Sequence, residues 1–389
     1  LAENKGYSHI NKHPNLNNKN HHGAAAIISG AAQQGHSGLQ VALNNMTNAQ
    51  VISHMSSFHP EPYSSNITVS LEQTDMVMNT VLNHAAKGKS FNLGRSNAEA
   101  IIHENVRKKV WLDTNYIKGE VDGDNGLGGF DYSLKGLVIG GNIIQKQNQV
   151  FGTFFAAGNH KMDEHDSAIQ NFSSETYHVG LYFEQQGTGL WDIRGAAGYA
   201  YGDNSSKRTV FVGNIESQNQ ASYDSHSVYF AVKALVPWYK RKWLVLTPEF
   251  GINYTYYKQE SLTESGDSNL NLSLDSADAQ SIVTTIGMNA RFNRLFDWGS
   301  LMPLAFMRYE HDWYANKNSE HEIQASLASH PDNKLKFVGQ NRGKDALIVG
   351  LGLGSDVSSQ LEVSGGIVAS HTGNGREFGA GFNLEYSWK

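Results

Sequence analysis

Apolar and polar residues alternate strictly along the end of the chain. Phe378, Ala380, Phe382, Leu384, Tyr386 and Trp388 fall on one face, and Gly379, Gly381, Asn383, Glu385 and Ser387 fall on the other. A period of two marks a half-buried strand. Here the apolar face is aromatic at both ends and the opposite face carries only glycine and polar groups, which is the pattern of a strand between lipid and a polar lumen. The alternation recurs upstream. Tyr177, Val179, Leu181 and Phe183 oppose His178, Gly180, Tyr182 and Glu184; Trp191, Ile193, Ala197 and Tyr199 oppose Asp192 and Arg194; Leu244, Leu246, Phe250, Ile252, Tyr254 and Tyr256 oppose Thr247, Glu249, Asn253 and Thr255. Segments long enough for a tilted membrane strand are predicted over 108–118, 130–142, 149–159, 173–186, 190–202, 223–236, 243–257, 278–292, 300–313, 344–354, 360–370 and 377–388. The ninth is the least regular, because Arg308, Glu310 and Asp312 share a face with Leu304 and Phe306.

The connections sort by parity. Those after the second, fourth, sixth, eighth and tenth segments are short; those after the first, third, fifth, seventh and ninth are longer and polar, up to the stretch from Tyr314 to Lys344. Outer-membrane barrels have short periplasmic turns and long external loops, whereas a soluble sandwich has no reason to sort its loops this way. The expected fold is all-β: a 12-stranded antiparallel transmembrane β-barrel with an N-terminal α-helix running through the pore.

That helix lies ahead of the first strand. The chain divides into a linker over 1–65, partly disordered or in short helices, a pore helix and connection over 66–105, and the barrel over 106–389. Residues 1–22 hold many Asn, His and Lys and little to bury, and read as a mobile arm. Residues 24–56 read as broken helix, interrupted by Pro60 and Pro62. From Ser70 to Lys87 helix formers run without proline toward Gly88, a stop signal. Leu71, Met76, Met78, Val81 and Leu82 are spread among polar residues, so this helix suits a wet channel better than a core. The start, Leu1-Ala2-Glu3-Asn4-Lys5, carries no leader, so a signal peptide is expected to have been removed or to lie upstream in a longer precursor.

Composition agrees. The chain of 389 residues has no cysteine, which excludes disulfides, thiolate metal sites and cysteine nucleophiles. A net charge of -6 gives no basic footprint for nucleic acid. No run approaches the apolar length of a transmembrane helix, and mean hydropathy is -0.44; barrel strands escape that test because only alternate residues meet lipid. Enzyme-like strings are chance matches. Gly266-Asp267-Ser268 lies in a long loop, Gly350, Gly352 and Gly354 precede no helix that could hold a phosphate, and Asp122, Asp124 and Asn125 have the wrong spacing for a calcium loop. His9, His13, His21, His22 and His36 belong to the flexible arm.

Several runs in order resemble the translocator β-domain of autotransporters, the type Va secretion proteins of Gram-negative bacteria. They are Gly129-Phe130-Asp131-Tyr132 with Gly136 to Gly140, Leu246 to Phe250 with Glu264-Ser265-Gly266, Asp345 to Gly354, and the aromatic terminal strand. Ser56 to Ala86 resembles the family's segment before the barrel, ending in the helix that plugs the pore. Family members usually end on the aromatic residue, whereas here Lys389 follows Trp388.

The resemblance implies an outer-membrane device that exports its own N-terminal passenger to the cell surface, driven by barrel assembly and passenger folding. It implies as partners outer-membrane lipid, the barrel-assembly machinery, periplasmic chaperones and the passenger. It further implies a monomer with no cofactor, metal, catalytic residue or nucleic-acid partner. The terminal Gly381, Phe382, Leu384, Tyr386 and Trp388 are expected to form the insertion signal, read by strand addition at an open sheet edge. Glu72, Asp75, Asn79 and Asn83 are expected on the pore helix, and Glu184, Asp192, Arg194, Glu249 and Glu385 as lumenal charges. Some family members release their passenger by asparagine cyclisation at adjacent asparagines in this helix. Asn79 and Asn83 stand apart, so the expectation is that they solvate the lumen. A general porin or channel is the competing reading, distinguished by its having no need of a helix before the first strand. A surface enzyme or adhesin working through its loops is a third, without a recognisable site.

Overall fold

In a computed structural model, the structure describes residues 10, 12–14, 16, 18–35, 37–90, 108–124, 126–146, 148–165, 170–186, 191–236, 238–241, 243–266, 269–292, 294–296, 299–315 and 321–388. Among them, twelve antiparallel strands close a barrel: β1 (Lys108–Val121), β2 (Phe130–Lys146), β3 (Gln149–Glu164), β4 (Gln170–Gln186), β5 (Asp192–Val212), β6 (Ile215–Leu235), β7 (Leu244–Gln259), β8 (Ala277–Phe292), β9 (Gly299–Asp312), β10 (Asp345–Asp356), β11 (Leu361–Thr372) and β12 (Gly375–Trp388). Each pairs with its neighbours in sequence, and β1 pairs with β12 from Lys108↔Trp388 to Val121↔Gly375. Closure leaves no strand edge for lipid to desolvate. The facing is as the alternation predicts: Phe378, Phe382, Tyr386 and Trp388 are exposed on the outer surface, and Asn383 and Glu385 are buried inside.

The ninth strand also resolves. Met307, Tyr309 and Trp313 point outward, while Leu304, Phe306, Arg308 and Glu310 share the inner face. Phe306 lies flat on β10, where a Cβ on Gly350 would stand 2.3 Å from its ring, and the Arg308 guanidinium sits 4.2 Å from the ring centroid. The glycines resembling a dinucleotide fingerprint are therefore lumen-side strand positions, and Gly350 among them makes room for an aromatic ring.

Two readings are corrected. The long polar connection expected after the fifth strand is instead a hairpin: β5 and β6 run 21 residues each and meet in a turn at Gly213-Asn214. Beyond the bilayer the outer face needs no apolar residues, so Asp203, Ser205 and Lys207 continue the strand without a lipid signature. Gly213 has φ +60° and lies against α2, where a Cβ would fall 2.1 Å from the Ala42 carbonyl oxygen; only glycine fits this turn. The second correction concerns the N-terminal segment. Residues 1–9, with His9, lie outside the described residues, as do His36, Asn125, Asp267, Ser268 and Lys389. Four helices follow: α1 (Lys19–Gln33), α2 (Ser37–Asn44), α3 (Asn48–Phe58) and α4 (Glu61–Ser90). Helix begins inside the stretch read as a mobile arm, and His21 is buried. The pore helix starts at Glu61 and continues through Gly88. Pro62 falls in its first turn, where a missing N–H is harmless, so this proline opens a helix rather than breaking one.

Helices α1 to α3 form a cap over the external mouth. Asn18 caps α1 by accepting the His21 N–H at 2.7 Å, and Gln50 Oε1 accepts the Thr47 N–H at 2.9 Å in front of α3. The buried face of α1, with Ala24, Ile27, Ile28 and Ala31, shares one apolar cluster with a small sheet built from residues 262–263, 272–274, 323–327 and 330–337. That sheet comes from the two long loops after β7 and β9. Helix α3 covers the upper edge of β5: Ser57 Oγ accepts the Phe211 N–H at 2.9 Å, and Arg208 Nη2 donates to the Phe58 carbonyl at 2.7 Å, placing a cation at the α3 C-terminus.

Two histidines are held neutral near the external mouth, His59 between α3 and α4 and His321 in the loop after β9. Burial holds His59 well below its ordinary pKa, helped by His21 and Arg208, and its Nδ1 accepts the Glu61 N–H at 3.3 Å, which requires a bare nitrogen. Burial lowers His321 to about 4, against a smaller upward pull from Asp312. Both rings are neutral in the folded cap and protonate on unfolding, so the stability they contribute is present above pH about 6.5 and is lost as pH falls toward 4. Hydrogen exchange of α3 should accelerate between pH 6.5 and 4 after correction for intrinsic rates; a pH-independent α3 would refute the assignment. For the barrel, Phe382→Lys, midway between the outward aromatics Phe378 and Tyr386, should cost about 2–4 kcal/mol in refolding into vesicles, and Trp388→Lys at the strand end about 0–1 kcal/mol. Equal costs would mean that the outward face does not meet lipid as assigned.

Candidate functional site: a helix sealed in a charged pore

Helix α4 fills the lumen. Its 30 residues span roughly 45 Å at 1.5 Å each, comparable to a bilayer with its headgroups. Among the described residues no helix is long and apolar enough to cross lipid; α4 crosses inside the barrel. Three of its hydroxyls turn back on its own carbonyls, Ser70 to Asn66 at 3.0 Å, Thr74 to Ser70 at 3.1 Å and Thr80 to Met76 at 2.7 Å, so they are satisfied without water. Val77, Met78, Val81 and Leu82 are buried in the same cluster as Leu134, Ala156, Ala196 and Ala231 of the wall. The approach is closest at β2 and β3, where a Cβ on Gly136 would meet Met76 at 2.7 Å and one on Gly158 would meet Gln73 at 2.2 Å.

The ends fix its direction. At the external mouth Glu61 accepts the Gly128 N–H at 2.8 Å and the Asn20 amide at 2.7 Å. Two residues on, the Tyr63 hydroxyl lies 2.8 Å from Ser206 on the risen part of β5 and donates to Glu264 at 2.8 Å. Glu264 in turn faces Arg208 at 3.3 Å in a fully buried pair. Near the periplasmic end Asn83 Oδ1 accepts from Lys233 at 3.2 Å and Arg308 at 3.3 Å. The chain therefore enters the pore from outside and leaves it on the periplasmic side, ahead of β1.

Between these ends two charge clusters hold the helix. In the upper one Glu72 meets Arg342 Nε at 2.6 Å, and the same guanidinium lies 3.9 Å from Glu310 and 4.0 Å from Glu377. Arg342 arrives from the loop after β9, folded back to the pore. Asp75 accepts from Asn253 of β7 at 3.1 Å and from Asn79 at 2.6 Å. In the lower cluster Glu249 faces Lys233 at 3.6 Å, bonds to Arg308, and accepts the Asn289 amide at 3.0 Å. Burial of such charges is tolerated only with partners in place.

All four helix residues expected in the pore, Glu72, Asp75, Asn79 and Asn83, lie on α4. Of the five lumenal charges, Glu249 lies in the cluster that holds Asn83. Glu385 is inside but bonds to Lys109 of β1, Glu184 and Arg194 are register partners on β4 and β5, and Asp192 is half-buried at the start of β5. Gly381, Phe382, Leu384, Tyr386 and Trp388 pair with β1 from Asn115 back to Lys108. Sequence reasoning missed Arg342, Glu377, Lys233 and the Arg208–Glu264 pair. Lys233 and Glu377 stand at inward positions of alternating strands and could have been found; Arg342 and Glu264 lie in loops with no periodic signal. Among the described residues no group of three or more His, Asp or Glu is gathered as metal ligands.

Comparison with known proteins agrees with this geometry. The family model of the autotransporter beta-domain matches residues 110–367. Among solved structures, the translocator domain of the autotransporter NalP from Neisseria meningitidis is similar with a TM-score of 0.57 at 13% identity, covering 80% of this chain and 98% of that one. The beta domain of the Bordetella autotransporter BrkA is similar with a TM-score of 0.52 at 11% identity, covering 72% and 98%. Among curated protein sequences none matches. At such identities the structures carry the fold alone, and the family rests on the model spanning most of the barrel. The chain belongs to the autotransporter beta-domain family and is an outer-membrane translocator that exports a passenger from a Gram-negative cell.

Proposed function

We propose that α4 is the tail of the exported passenger, left in the pore when transport ends, and that the cap is the first part of the chain to fold outside. The direction of α4 carries this reading: its N-terminal end lies among external loops, and Asn83, toward its C-terminal end, bonds to Lys233 near the periplasmic end of β6. A porin would gain nothing from a buried helix ion-paired to a folded-in loop and hydrogen-bonded to the wall. Glu72, Asp75, Asn79 and Asn83 act as the docking side of the plug, and Glu249 with Lys233 and Arg308 as its lower seat. Glu184, Asp192, Arg194 and Glu385 support the wall and keep the lumen polar. Asn83 is hydrogen-bonded to Lys233 and Arg308 of the wall and Asn79 to Asp75 on its own helix, which supports a holding role over self-cleavage, and the chain works as a conduit rather than an enzyme.

The terminal Gly381, Phe382, Leu384, Tyr386 and Trp388 serve as the insertion signal. The barrel-assembly machinery would pair with β12 by strand addition before β1 takes that edge. Periplasmic chaperones would hold the unfolded strands beforehand, and the finished barrel, closed on itself, acts as a monomer.

The test is conductance in planar bilayers. The intact chain should be nearly silent and a variant lacking residues 61–90 should open a large steady pore; a large conductance that the deletion leaves unchanged would favour the porin. A finer test addresses the upper cluster. Arg342→Met leaves Glu72, Glu310 and Glu377 without their shared cation and should destabilise the plugged state by about 3–5 kcal/mol, seen as protease access to α4 and frequent openings. Glu310→Gln in that background should recover part of the loss. An unchanged plug in Arg342→Met would remove this cluster from the mechanism.

A further inference from the structure

The turn between β6 and β7 stands at the periplasmic border of the barrel and reads Trp238-Tyr239-Lys240-Arg241-Lys242-Trp243. Its backbone is pinned: the Trp238 N–H donates to the Leu246 carbonyl at 3.1 Å, the Arg241 N–H donates to the Leu244 carbonyl at 2.8 Å, and Tyr239 pairs with Leu246. Paired residues share a face, so Tyr239 joins the outward row that continues through Leu246, Phe250 and Ile252 of β7. The Arg241 guanidinium lies 5.8 Å from the Tyr239 ring centroid, and the Trp243 ring stacks on Phe292 of β8 with centroids 6.4 Å apart. Trp238 is 74% exposed. Indole and phenol rings left open beside a lipid-facing wall are placed as at a membrane interface, apolar body toward the acyl chains and polar edge toward water. The exposed Lys240 and Arg241 therefore stand at headgroup height.

The charge at this border has one sign. No Asp or Glu occurs from Ser225 to Pro248 or from Ala279 to Phe296. Counted in the sequence, the β6–β7 and β8–β9 turns, residues 236–243 and 293–298, hold four cations, Lys240, Arg241, Lys242 and Arg294, against one acid, Asp297. Lys242 and Asp297 lie outside the described residues. The nearest acids of the neighbouring strands face inward. Glu249 is buried beside Lys233 and Arg308, and Asp192 of β5 shares the inward row of Arg194. Among the described residues neither Lys240 nor Arg241 is paired with a carboxylate.

We propose that this turn binds an anionic glycerophospholipid of the inner leaflet, its phosphate diester on Arg241 and Lys240 and its acyl chains along Leu246, Phe250 and the Trp243–Phe292 pair. The net positive charge of the border complements a headgroup of net negative charge, whereas a zwitterionic headgroup brings its own ammonium beside the phosphate and gains little. Each cation at this level strengthens the attraction to anionic lipid by about fivefold. The same hairpin carries Lys233 and Glu249, so the lipid sits at the foot of the strands that form the lower seat of α4.

Native mass spectrometry of the full chain in detergent tests this, with dioleoyl phosphatidylglycerol as probe, dioleoyl phosphatidylethanolamine as comparison and inorganic phosphate as competitor. Wild type should retain phosphatidylglycerol in preference to phosphatidylethanolamine. The variant with Lys240→Gln and Arg241→Gln, checked as folded by its heat-modifiable migration, should bind phosphatidylglycerol about thirtyfold more weakly. A variant of the same net charge, with Lys118→Gln and Lys161→Gln near the external ends of β1 and β3, should bind it as wild type does. Equal retention of the two lipids by wild type, undiminished binding by the Lys240 and Arg241 variant, the same loss in the charge-matched variant, or displacement of the lipid by inorganic phosphate alone would each overturn the proposal.

Discussion

Everything in this molecule depends on the pairing of β1 with β12. A sheet in lipid cannot leave a strand edge unpaired, because no water is present to satisfy its N–H and C=O groups. The first and last strands, separated by most of the chain, must therefore meet along their whole length, and they do so without a bulge. Closure fixes the strand number, and that number fixes a lumen wide enough for one helix. A polar lumen that wide must hold either water or chain, and here it holds α4. The cluster around Arg342 follows from closure, since it gathers Glu72 of the enclosed helix with Glu310 of β9 and Glu377 of β12, whereas Glu249, Lys233 and Arg308 come from neighbouring strands of one side of the wall.

The barrel was legible in the sequence because lipid imposes its rule on every second residue. Phe378, Phe382, Tyr386 and Trp388 could be assigned to the outer face without knowing any contact. The rule ends where the lipid ends. Residues 203–222 carry no lipid signature, so the rise of β5 and β6 beyond the bilayer was read as a loop. Its inward face does alternate, through Asn204, Ser206, Arg208 and Val210, but those partners lie in α3, α4 and the loop after β7. No local pattern announces a partner that far away in the chain. Arg342 was hidden for the same reason: it reaches Glu72 across 270 residues of sequence from within a loop. The start of α4 was hidden differently, by a proline read as a breaker that occupies the one part of a helix where its missing donor is harmless.

The cap gives the plug a thermodynamic direction. The buried ion pairs fix where α4 sits in the pore, because each would be left uncompensated if the helix moved, but they do not by themselves favour one direction of movement over the other. On the proposed function, bulk folded outside opposes return toward the periplasm. Ile27, Ile28, Leu272, Leu274, Ile323 and Phe337 share one buried cluster formed by the N-terminal helices with loops anchored to the barrel. Withdrawing α4 would expose that cluster to water, at about 25 cal/mol for each Å² of apolar surface uncovered. It would also strand Arg208 and Glu264, each completely buried, without Tyr63 and the α3 carbonyls beside them. Transport of a chain with no nucleotide to drive it needs such an asymmetry between its two sides. Here the asymmetry is built from loops that belong to the barrel itself.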